Sequence, residues 1–388
     1  MLRISLIFLL CSMNALLYAP RALAQQPASK KVDESEEFFK GEKLRKFTVT
    51  VDEENLKVLR RDPRKYVRAS FSDGSKGMGD VGLHLKGAAG SFRGFDDKPA
   101  LTLNFDKFVK NQNYRGMDKM HCNNSVQDPS FCAELICGEL ARMMNIPAAR
   151  TTHAVVDLNG KKKGLFTVKE GFNKNFLKRY FTNVNGNLYD GGFLTDIDAD
   201  LYRNSGSEGL DNREDLKGVV KACREPDAKK RFEEVAKVVD IDRFISVMVF
   251  DALTAHWDGY TSQKNNYRIY HDPETKKIVF FVHGMDQMFS NPGWNIWPAT
   301  NGMVSRAIWD TEEGKKRYEA RLREVVAKYF KIDWMHRRID EVISRVKPFA
   351  EKEVDKNTAN DFENNAKDFK RRIKERVEFV EKELAKKK

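Results

Sequence analysis

The sequence predicts an α+β fold in which a strand-rich first half is followed by an extended helical C-terminus. Alternating apolar and polar residues, as in residues 81–87, predict strands in the first half. Residues 310–388 show helical periodicity almost throughout, with many Glu and Lys residues at helical spacing. The chain has 388 residues, of which 41% are hydrophobic, so it can form one large domain or two lobes.

The N-terminus is typical of a cleaved export signal. Arg3 precedes an apolar run at residues 4–17, and Ala22-Leu23-Ala24 forms an A-x-A cleavage site. The alternative, an uncleaved anchor, is weaker because the apolar run is short for a membrane span. We therefore expect residues 1–24 to be a signal peptide and the mature protein to be periplasmic, extracellular or at the cell surface. The polar residues 25–45 are expected to form a flexible leader, and no later segment is apolar enough to be transmembrane.

A small-residue loop between two strands is a candidate phosphate site. Strands are predicted at residues 46–51 and 66–71, with a helix at 53–60 between them, and then at 81–87 and 101–105. The last two strands flank Gly87-Ala88-Ala89-Gly90-Ser91-Phe92-Arg93-Gly94, a loop whose backbone N–H groups could approach phosphate. Lys86, Arg93 and Lys98 would add positive charge. The alternative is an ordinary glycine-containing hairpin, and the loop is not a Walker motif.

A helix and a hairpin follow. Asp128 is expected to cap the helix with Pro129 at its first position, and Glu134 lies on this helix. The turn Asn159-Gly160 joins predicted strands at residues 151–158 and 164–168. A helix is predicted at residues 173–181, followed by a polar loop. Asp196, Asp198 and Asp200 alternate in that loop, where divalent-cation binding is the alternative interpretation.

Three polar residues are expected to meet beside a buried helix at residues 240–255. Asp258 stands where this helix stops, Asn266 opens a strand at 267–270, and Asp286 follows a strand at 278–282. A short hairpin would bring all three to one edge, where two carboxylates and an amide suit an oxygen-preferring cation such as Mg²⁺. In phosphoryl transfer, one Asp orients a hydroxyl while an Asn and a second Asp hold metal. Taken singly, each residue is better explained by a cap or a turn.

Composition narrows the class of partner. Lys and Arg exceed Asp and Glu by 69 to 57, which favours acidic partners or anionic surfaces. No zinc-finger spacing and no basic stripe interleaved with aromatic residues is present, so nucleic-acid binding is not expected. Cysteines 122, 132, 137 and 223 remain after cleavage; export permits disulfides, but the spacing identifies no pairing, and buried free thiols are expected.

These motifs together resemble the CotH kinases, a family named after spore-coat protein H. The shared features, in family order, are LKG with its small-residue loop, KP before a strand, DPS before a helix closing in NIPAAR, LNG…GLFTVKE, GNLYDG, HWDGY…NNYRIY and FVHGMDQMF. The resemblance covers residues 47–300. It implies a divergent two-lobed protein-kinase-like fold that uses ATP and Mg²⁺, with Mn²⁺ as an alternative ion, to phosphorylate Ser or Thr of a protein substrate.

The resemblance also implies a division of the chain. The N-lobe would span residues 46–172 and hold the nucleotide-phosphate loop. The C-lobe would span residues 173–310 and hold the catalytic and metal residues, and residues 311–388 would form a C-terminal helical extension. The sequence leaves the oligomeric state open.

Individual roles follow from the matched motifs. Asp258 would be the catalytic aspartate, and Asn266 and Asp286 would be the metal ligands. The nucleotide would contact Lys86, Arg93, Lys98, Glu134 and Glu170. Glu134 would pair with a lysine that the sequence does not identify, and the neighbourhood of Glu170 would hold adenine.

Two departures from the family pattern leave alternatives open. The chain has Gly-Met-Asp where the family often has Trp-Asp-Leu-Asp, and its loop lacks a frequent Asn-Ser-Ser. A catalytically silent kinase-like domain acting as a coat or surface interaction module, and an ATP-using nucleotidyltransferase on the same fold, are the alternative functions.

Overall fold

A seven-stranded barrel forms the first half of the chain. The computed structural model describes residues 34–206 and 213–386, so the predicted signal peptide and residues 25–33 of the leader lie outside the described residues. The barrel strands are β1 (Arg45–Thr50), β2 (Val67–Ser72), β3 (Gly77–Lys86), β4 (Ala100–Asn104), β5 (Lys119–Asn123), β6 (Thr151–Leu158) and β7 (Lys161–Glu170). Their order is β1-β2-β3-β4-β5-β7-β6, and β6 closes the barrel by pairing in parallel with β1. All other neighbours are antiparallel.

Alternating inward side chains fill the barrel. β1 and β2 bury every second residue, as the sequence pattern predicts. Phe47, Phe71, Phe105 and Tyr114 meet in this core with ring centroids 4.9–6.2 Å apart. Helix α2 (Glu53–Arg61) links β1 to β2.

Part of the predicted flexible leader is ordered. Helix α1 (Glu34–Lys40) buries Phe38 and Phe39 against the barrel core, and the Phe38 ring contacts the rings of Phe47 and Tyr114. These two phenylalanines, which the acidic composition of the segment obscures, explain why residues 34–40 are not a free leader.

The helix that carries Glu134 begins later than the Asp-Pro signal predicts. α3 spans Ala133–Met143, because Phe131 adopts a left-handed conformation with φ 55° that interrupts a helix from Asp128. Asp128 still caps α3 from a distance, since its Oδ2 accepts from the Ala133 N–H at 2.9 Å. Eight of the eleven residues of α3 are buried, so Glu134 is held by a helix packed on most sides.

A second, four-stranded sheet lies in the next part of the chain, in the order β11-β10-β8-β9. Its strands are β8 (Leu188–Asp190), β9 (Tyr202–Ser205), β10 (Tyr267–Asp272) and β11 (Lys277–Val282). The accompanying helices are α4 (Lys174–Leu177), α5 (Glu214–Cys223), α6 (Ala228–Val238), α7 (Ile241–Leu253), α8 (Tyr260–Gln263) and α9 (Met303–Trp309). As predicted, α7 is buried, with every residue from Phe244 to Leu253 shielded from solvent, and β10 and β11 form a hairpin that places Asn266 and Asp286 at one end.

Three long helices complete the chain: α10 (Glu312–Lys328), α11 (Ile332–Glu353) and α12 (Lys356–Ala385). Their apolar residues belong to the same core cluster as α3 and α7, whereas the barrel has a separate core. The C-terminal helices are therefore packed into the main helical core.

A buried arginine joins α12 to the end of α7. The Arg376 side chain is fully buried and donates hydrogen bonds to four backbone carbonyls, those of Ala252, Leu253, Pro292 and Trp294. Two of these carbonyls lie in the last turn of α7, where helix carbonyls lack partners within the helix. Helix α12 thus fixes the backbone at the end of α7, three residues before His256 of the HWDGY motif.

Cysteines 122, 132, 137 and 223 are free thiols, and the first three are buried, as expected. Over the described ranges, no helix combines the length and apolar character that crossing a bilayer requires.

Candidate active site

A cleft of about 810 Å³ lies between the barrel and the second sheet. Its barrel wall includes Lys86 and Lys169, with Glu134 contributed by α3, and its opposite wall includes Asp258 and Asp286. Basic side chains thus predominate on one wall and acidic side chains on the other, which is suited to holding an anionic ligand beside a cation.

The basic wall is a chain of hydrogen-bonded side chains. Lys169 at the end of β7 donates from Nζ to Glu134 Oε1 at 2.7 Å. Asn123 on β5 donates from Nδ2 to the same oxygen at 3.4 Å, and its Oδ1 accepts from Lys86 Nζ. Glu134 Oε2 is buried without a protein partner. The lysine that pairs with Glu134, left open by the sequence, is Lys169.

Burial lowers the pKa of Lys86 to about 8. The neighbouring positive charge of Lys169 lowers this pKa further, while the negative charge of Glu134 raises it. An anion bound between the two ammonium groups would relieve their mutual repulsion. This wall is therefore electrostatically suited to an anion.

Asp258 is oriented by two amides. Asn265 Nδ2 donates to Asp258 Oδ1 at 3.0 Å, and Asn266 Nδ2 donates to Oδ2 at 2.8 Å and to the Asp258 backbone carbonyl at 3.0 Å. Each carboxylate oxygen has two lone pairs, so both can still accept from a ligand hydroxyl. The carboxylate is thus held in one orientation within the cleft.

Asn266 fits its position because of Gly284. A Cβ at position 284 would lie 2.1 Å from Asn266 Oδ1, and the φ of +63° at Gly284 also favours glycine. Asn266 itself has φ 51°, a left-handed conformation that asparagine tolerates better than most residues. The glycine leaves space in which the amide oxygen of Asn266 is not crowded.

Asp286 is a partly buried carboxyl on the acidic wall. Burial raises its pKa to about 6, and the negative charge of Glu134 raises it further, while Lys169 and Lys86 act in the opposite direction. Keeping this carboxylate ionised is unfavourable without an additional cation.

The donor set fits a magnesium ion that also binds phosphate. Within residues 34–206 and 213–386, no group of three His, Cys, Asp or Glu side chains is placed to hold a metal by itself. Mg²⁺ usually takes one or two carboxylates and completes its shell with phosphate oxygens and water. Asp286 and the Asn266 amide oxygen supply such a partial set, and the unpartnered Glu134 Oε2 lies in the same cleft.

Three of the residues predicted to contact the nucleotide, Arg93, Lys98 and Glu170, lie outside the cleft lining. Arg93 Nη1 donates to the carbonyls of Gly90 and Phe92, and Nε lies 3.5 Å from Asp97. The loop folds back on itself, since Phe92 N–H donates to Ala88 O, and this turns Arg93 toward its own loop. The cleft itself is lined by Lys86, Ala88 and Ser91 from this region.

Lys98 and Glu170 also have other partners. Lys98 Nζ lies 5.0 Å from the Phe131 ring centroid, and burial lowers its pKa to about 8. Glu170 forms ion pairs with Arg150 and Arg179. Because side chains alternate along a strand, Lys169 faces the cleft and the adjacent Glu170 faces the opposite side of β7.

The alternating aspartates after β8 also form hydrogen bonds or ion pairs with other residues of the chain. Asp196 accepts from the Tyr260 hydroxyl and the Met303 N–H, while Asp198 and Asp200 pair with Arg224 and Arg213. This arrangement does not favour the alternative of divalent-cation binding in the loop.

A buried histidine in the cleft was not singled out by the sequence. His256 Nδ1 lies 3.0 Å from Asp251 Oδ1, and Asp251 Oδ2 accepts from the Thr261 hydroxyl at 2.9 Å. Burial alone would lower the pKa of His256, but the Asp251 carboxylate, with Asp258 and Asp286 nearby, raises it above its usual value. The HWD sequence is the signal that could have identified it.

A cleft with lysines on a strand-built wall and carboxylates on a helix-supported wall defines a kinase-like protein. The profile of the family described as "CotH kinase protein" matches residues 83–385. This chain therefore belongs to the CotH kinase family, which confirms the resemblance found in its motifs.

Two curated relatives are similar in sequence. Inner spore coat protein H of Bacillus subtilis is 22% identical over 268 residues, which cover 62% of this chain and 71% of that protein. Invasin CotH2 of Rhizopus delemar is 23% identical over 299 residues, covering 67% of this chain and 47% of the invasin. The match thus spans less than half the length of the invasin.

A crystal structure of the Helicobacter pylori proinflammatory kinase CtkA also matches. It is 10% identical, with a TM-score of 0.35, and the match covers 74% of this chain and 94% of CtkA.

Proposed function

We propose that this chain is an exported, Mg²⁺-dependent protein kinase that transfers the γ-phosphate of ATP to Ser or Thr of a protein substrate. The observation that carries the proposal is the cleft, where Lys86 and Lys169 face Asp258, Asn266 and Asp286. The two-lobed division at residue 172 is part of this proposal. The barrel strands have a core of their own, whereas α3, which precedes residue 172, packs into the core of the helical part.

The basic wall would hold the phosphates. Lys86 and Lys169 would contact phosphate oxygens, and Glu134 would keep the Lys169 ammonium in place. Asn266 and Asp286 would hold Mg²⁺, or Mn²⁺, which neutralises charge on the phosphates when bound.

Asp258 would act on the acceptor. Its carboxylate, fixed by Asn265 and Asn266, would accept a hydrogen bond from the Ser or Thr hydroxyl. The hydroxyl oxygen forms a bond to the γ-phosphorus, the bond from that phosphorus to the β–γ bridging oxygen breaks, and ADP leaves. The hydroxyl proton passes to Asp258.

One observation favours a catalytically silent alternative. The segment after β11 carries a single carboxylate, Asp286, followed by Gln287 and Met288. A kinase-like domain of this kind could serve as a coat or surface interaction module. Export and a coat or surface location are in keeping with relatives named as a spore coat protein and an invasin.

Radiolabelled ATP tests the proposal. Purified protein is incubated with Mg²⁺ and casein, and with ATP labelled at either the γ- or the α-phosphate. Label from γ-ATP alone on protein, lost in Asp258→Asn and Asp286→Asn but kept in Arg93→Ala, is expected for a kinase. Label from α-ATP would indicate nucleotidyl transfer, and folded protein with neither label would indicate the silent module.

A further inference from the structure

An exposed apolar surface borders the acidic wall of the cleft. Of the large apolar side chains that are exposed in the described part of the chain, Phe193, Leu194 and Trp257 line this cleft. Their exposed fractions are 59%, 49% and 38%. We refer to these three side chains as the apolar lip. Exposed apolar groups gathered in one place are a common feature of interaction sites.

The lip is held by fixed backbone. Leu194 has a left-handed φ of 53°, a conformation that is unfavourable for leucine. Thr195 holds the segment, because its N–H donates to the Lys264 carbonyl at 3.0 Å and its own carbonyl accepts from the Tyr267 hydroxyl at 2.7 Å. The surrounding contacts therefore present Phe193 and Leu194 to solvent without requiring a ligand to order them.

The position of Trp257 indicates which ligand the lip would meet. Trp257 immediately precedes Asp258, the residue proposed to orient the acceptor hydroxyl. A side chain bound on the lip must therefore lie close to the acceptor residue. The lip is continuous with the acceptor side of the proposed active site.

The charges of the two cleft walls indicate that the lip does not bind the nucleotide. The triphosphate is a polyanion that matches Lys86 and Lys169 on the barrel wall, whereas the lip lies on the wall with Asp258 and Asp286. A nucleobase pocket also encloses most of its ligand, whereas Phe193 and Leu194 are about half exposed. An open apolar rim beside carboxylates suits an arriving polypeptide that carries no negative charge at this point.

From these observations we infer that the apolar lip selects protein substrates with an aromatic or large aliphatic side chain close to the Ser or Thr acceptor. This inference rests on the proposed function, since it assigns the acceptor side of the same cleft. It names a substrate class that neither the family motifs nor the metal residues specify.

The test uses an array of short Ser-centred peptides. Each position flanking the Ser is replaced in turn by Phe, Leu, Ala, Asp or Arg. Affinity is measured by fluorescence polarisation with Mg²⁺ and a non-hydrolysable ATP analogue, and phosphate transfer is measured separately with γ-labelled ATP. The measurement of affinity does not require the protein to be catalytically active.

The variant is Phe193→Ser combined with Leu194→Asn, because asparagine tolerates the left-handed backbone at position 194. The matched control is Tyr202→Ser, which removes a 72% exposed aromatic side chain that is not part of the cleft lining. We expect wild-type protein and Tyr202→Ser to prefer Phe or Leu over Ala by about tenfold at one flanking position. The double variant should lose that preference.

The inference is overturned if no position favours apolar residues, or if the double variant keeps the preference. It is also overturned if the double variant weakens ATP binding and leaves peptide affinity unchanged, which would assign the lip to the nucleobase. Selective peptide binding without phosphate transfer would refute the kinase proposal and support the lip. Phosphate transfer without a preference for apolar flanking residues would support the kinase proposal and refute the role of the lip.

Discussion

Replacing Asp286 by Asn should stabilise the protein when no metal is present. The ordinary pKa of an Asp is 3.8, and burial raises that of Asp286 to about 6. One pKa unit corresponds to 1.36 kcal/mol, so ionisation of this partly buried carboxyl costs at most about 3 kcal/mol at neutral pH. The neutral amide in Asp286→Asn avoids that cost.

Because the pKa of Asp286 is raised and not lowered, its effect on the free energy of unfolding depends on pH in a defined direction. Because the pKa is raised in the folded state, the folded protein binds the proton more tightly than the unfolded chain does between pH 3.8 and about 6. The contribution of Asp286 to the free energy of unfolding is therefore most favourable below that window and is lost as pH rises through it. The advantage of Asp286→Asn should be complete above the window and absent below it.

Urea denaturation in EDTA measures the difference directly, at about pH 7.5 and at about pH 4. A gain of about 3 kcal/mol corresponds to a rise in Tm of about 4 °C for a folded unit of this length. With Mg²⁺ and ATP at one hundred times Kd, wild type should gain about 2.7 kcal/mol by mass action, and the variant should lose that gain.

Asp258→Asn is the matched control. It also removes a carboxylate from the cleft, but one that accepts amide hydrogen bonds from Asn265 and Asn266, so its apo stability should fall by about 1 kcal/mol. If Asp286→Asn is instead less stable than wild type in EDTA at neutral pH and keeps full turnover, then Asp286 is a structural residue. The metal assignment would then be wrong.

Three further changes test the rest of the site. Lys86→Ala should abolish the rise in Tm that ATP and Mg²⁺ produce, whereas Arg93→Ala, outside the cleft lining, should keep it; equal shifts in both would contradict the assignment of the basic wall. Gly284→Ala should displace Asn266, because the new Cβ would lie 2.1 Å from its Oδ1, and Mg²⁺-dependent ATP binding measured by calorimetry should weaken at least about tenfold. Arg376→Met should lower the free energy of unfolding by about 2–5 kcal/mol, since it removes the donor to the carbonyls of Leu253 and Pro292, and an unchanged urea midpoint would refute that role.

Elements with a local signal could be predicted from the amino-acid sequence. Alternation predicts β3, the Asn159-Gly160 turn predicts the β6–β7 hairpin, and helical periodicity predicts α10, α11 and α12. These patterns are local because each strand or helix must bury one face, and its own residues record which face that is.

Asp258, Asn266 and Asp286 are close in space for a similar reason. They lie within one short stretch of chain, and the β10–β11 hairpin brings its two ends together. A pairing of neighbouring strands needs no knowledge of distant contacts, so the acidic wall could be predicted from the sequence.

The basic wall and the contacts that support the site depend on long-range packing. Glu134 and Lys169 are 35 residues apart, and Arg376 reaches a carbonyl 123 residues away at Leu253. The choice of Lys169 over Glu170 depends on which side of β7 faces the cleft, and that is fixed by barrel closure. Such pairings depend on how the elements pack in three dimensions, a property that no local pattern of residues encodes.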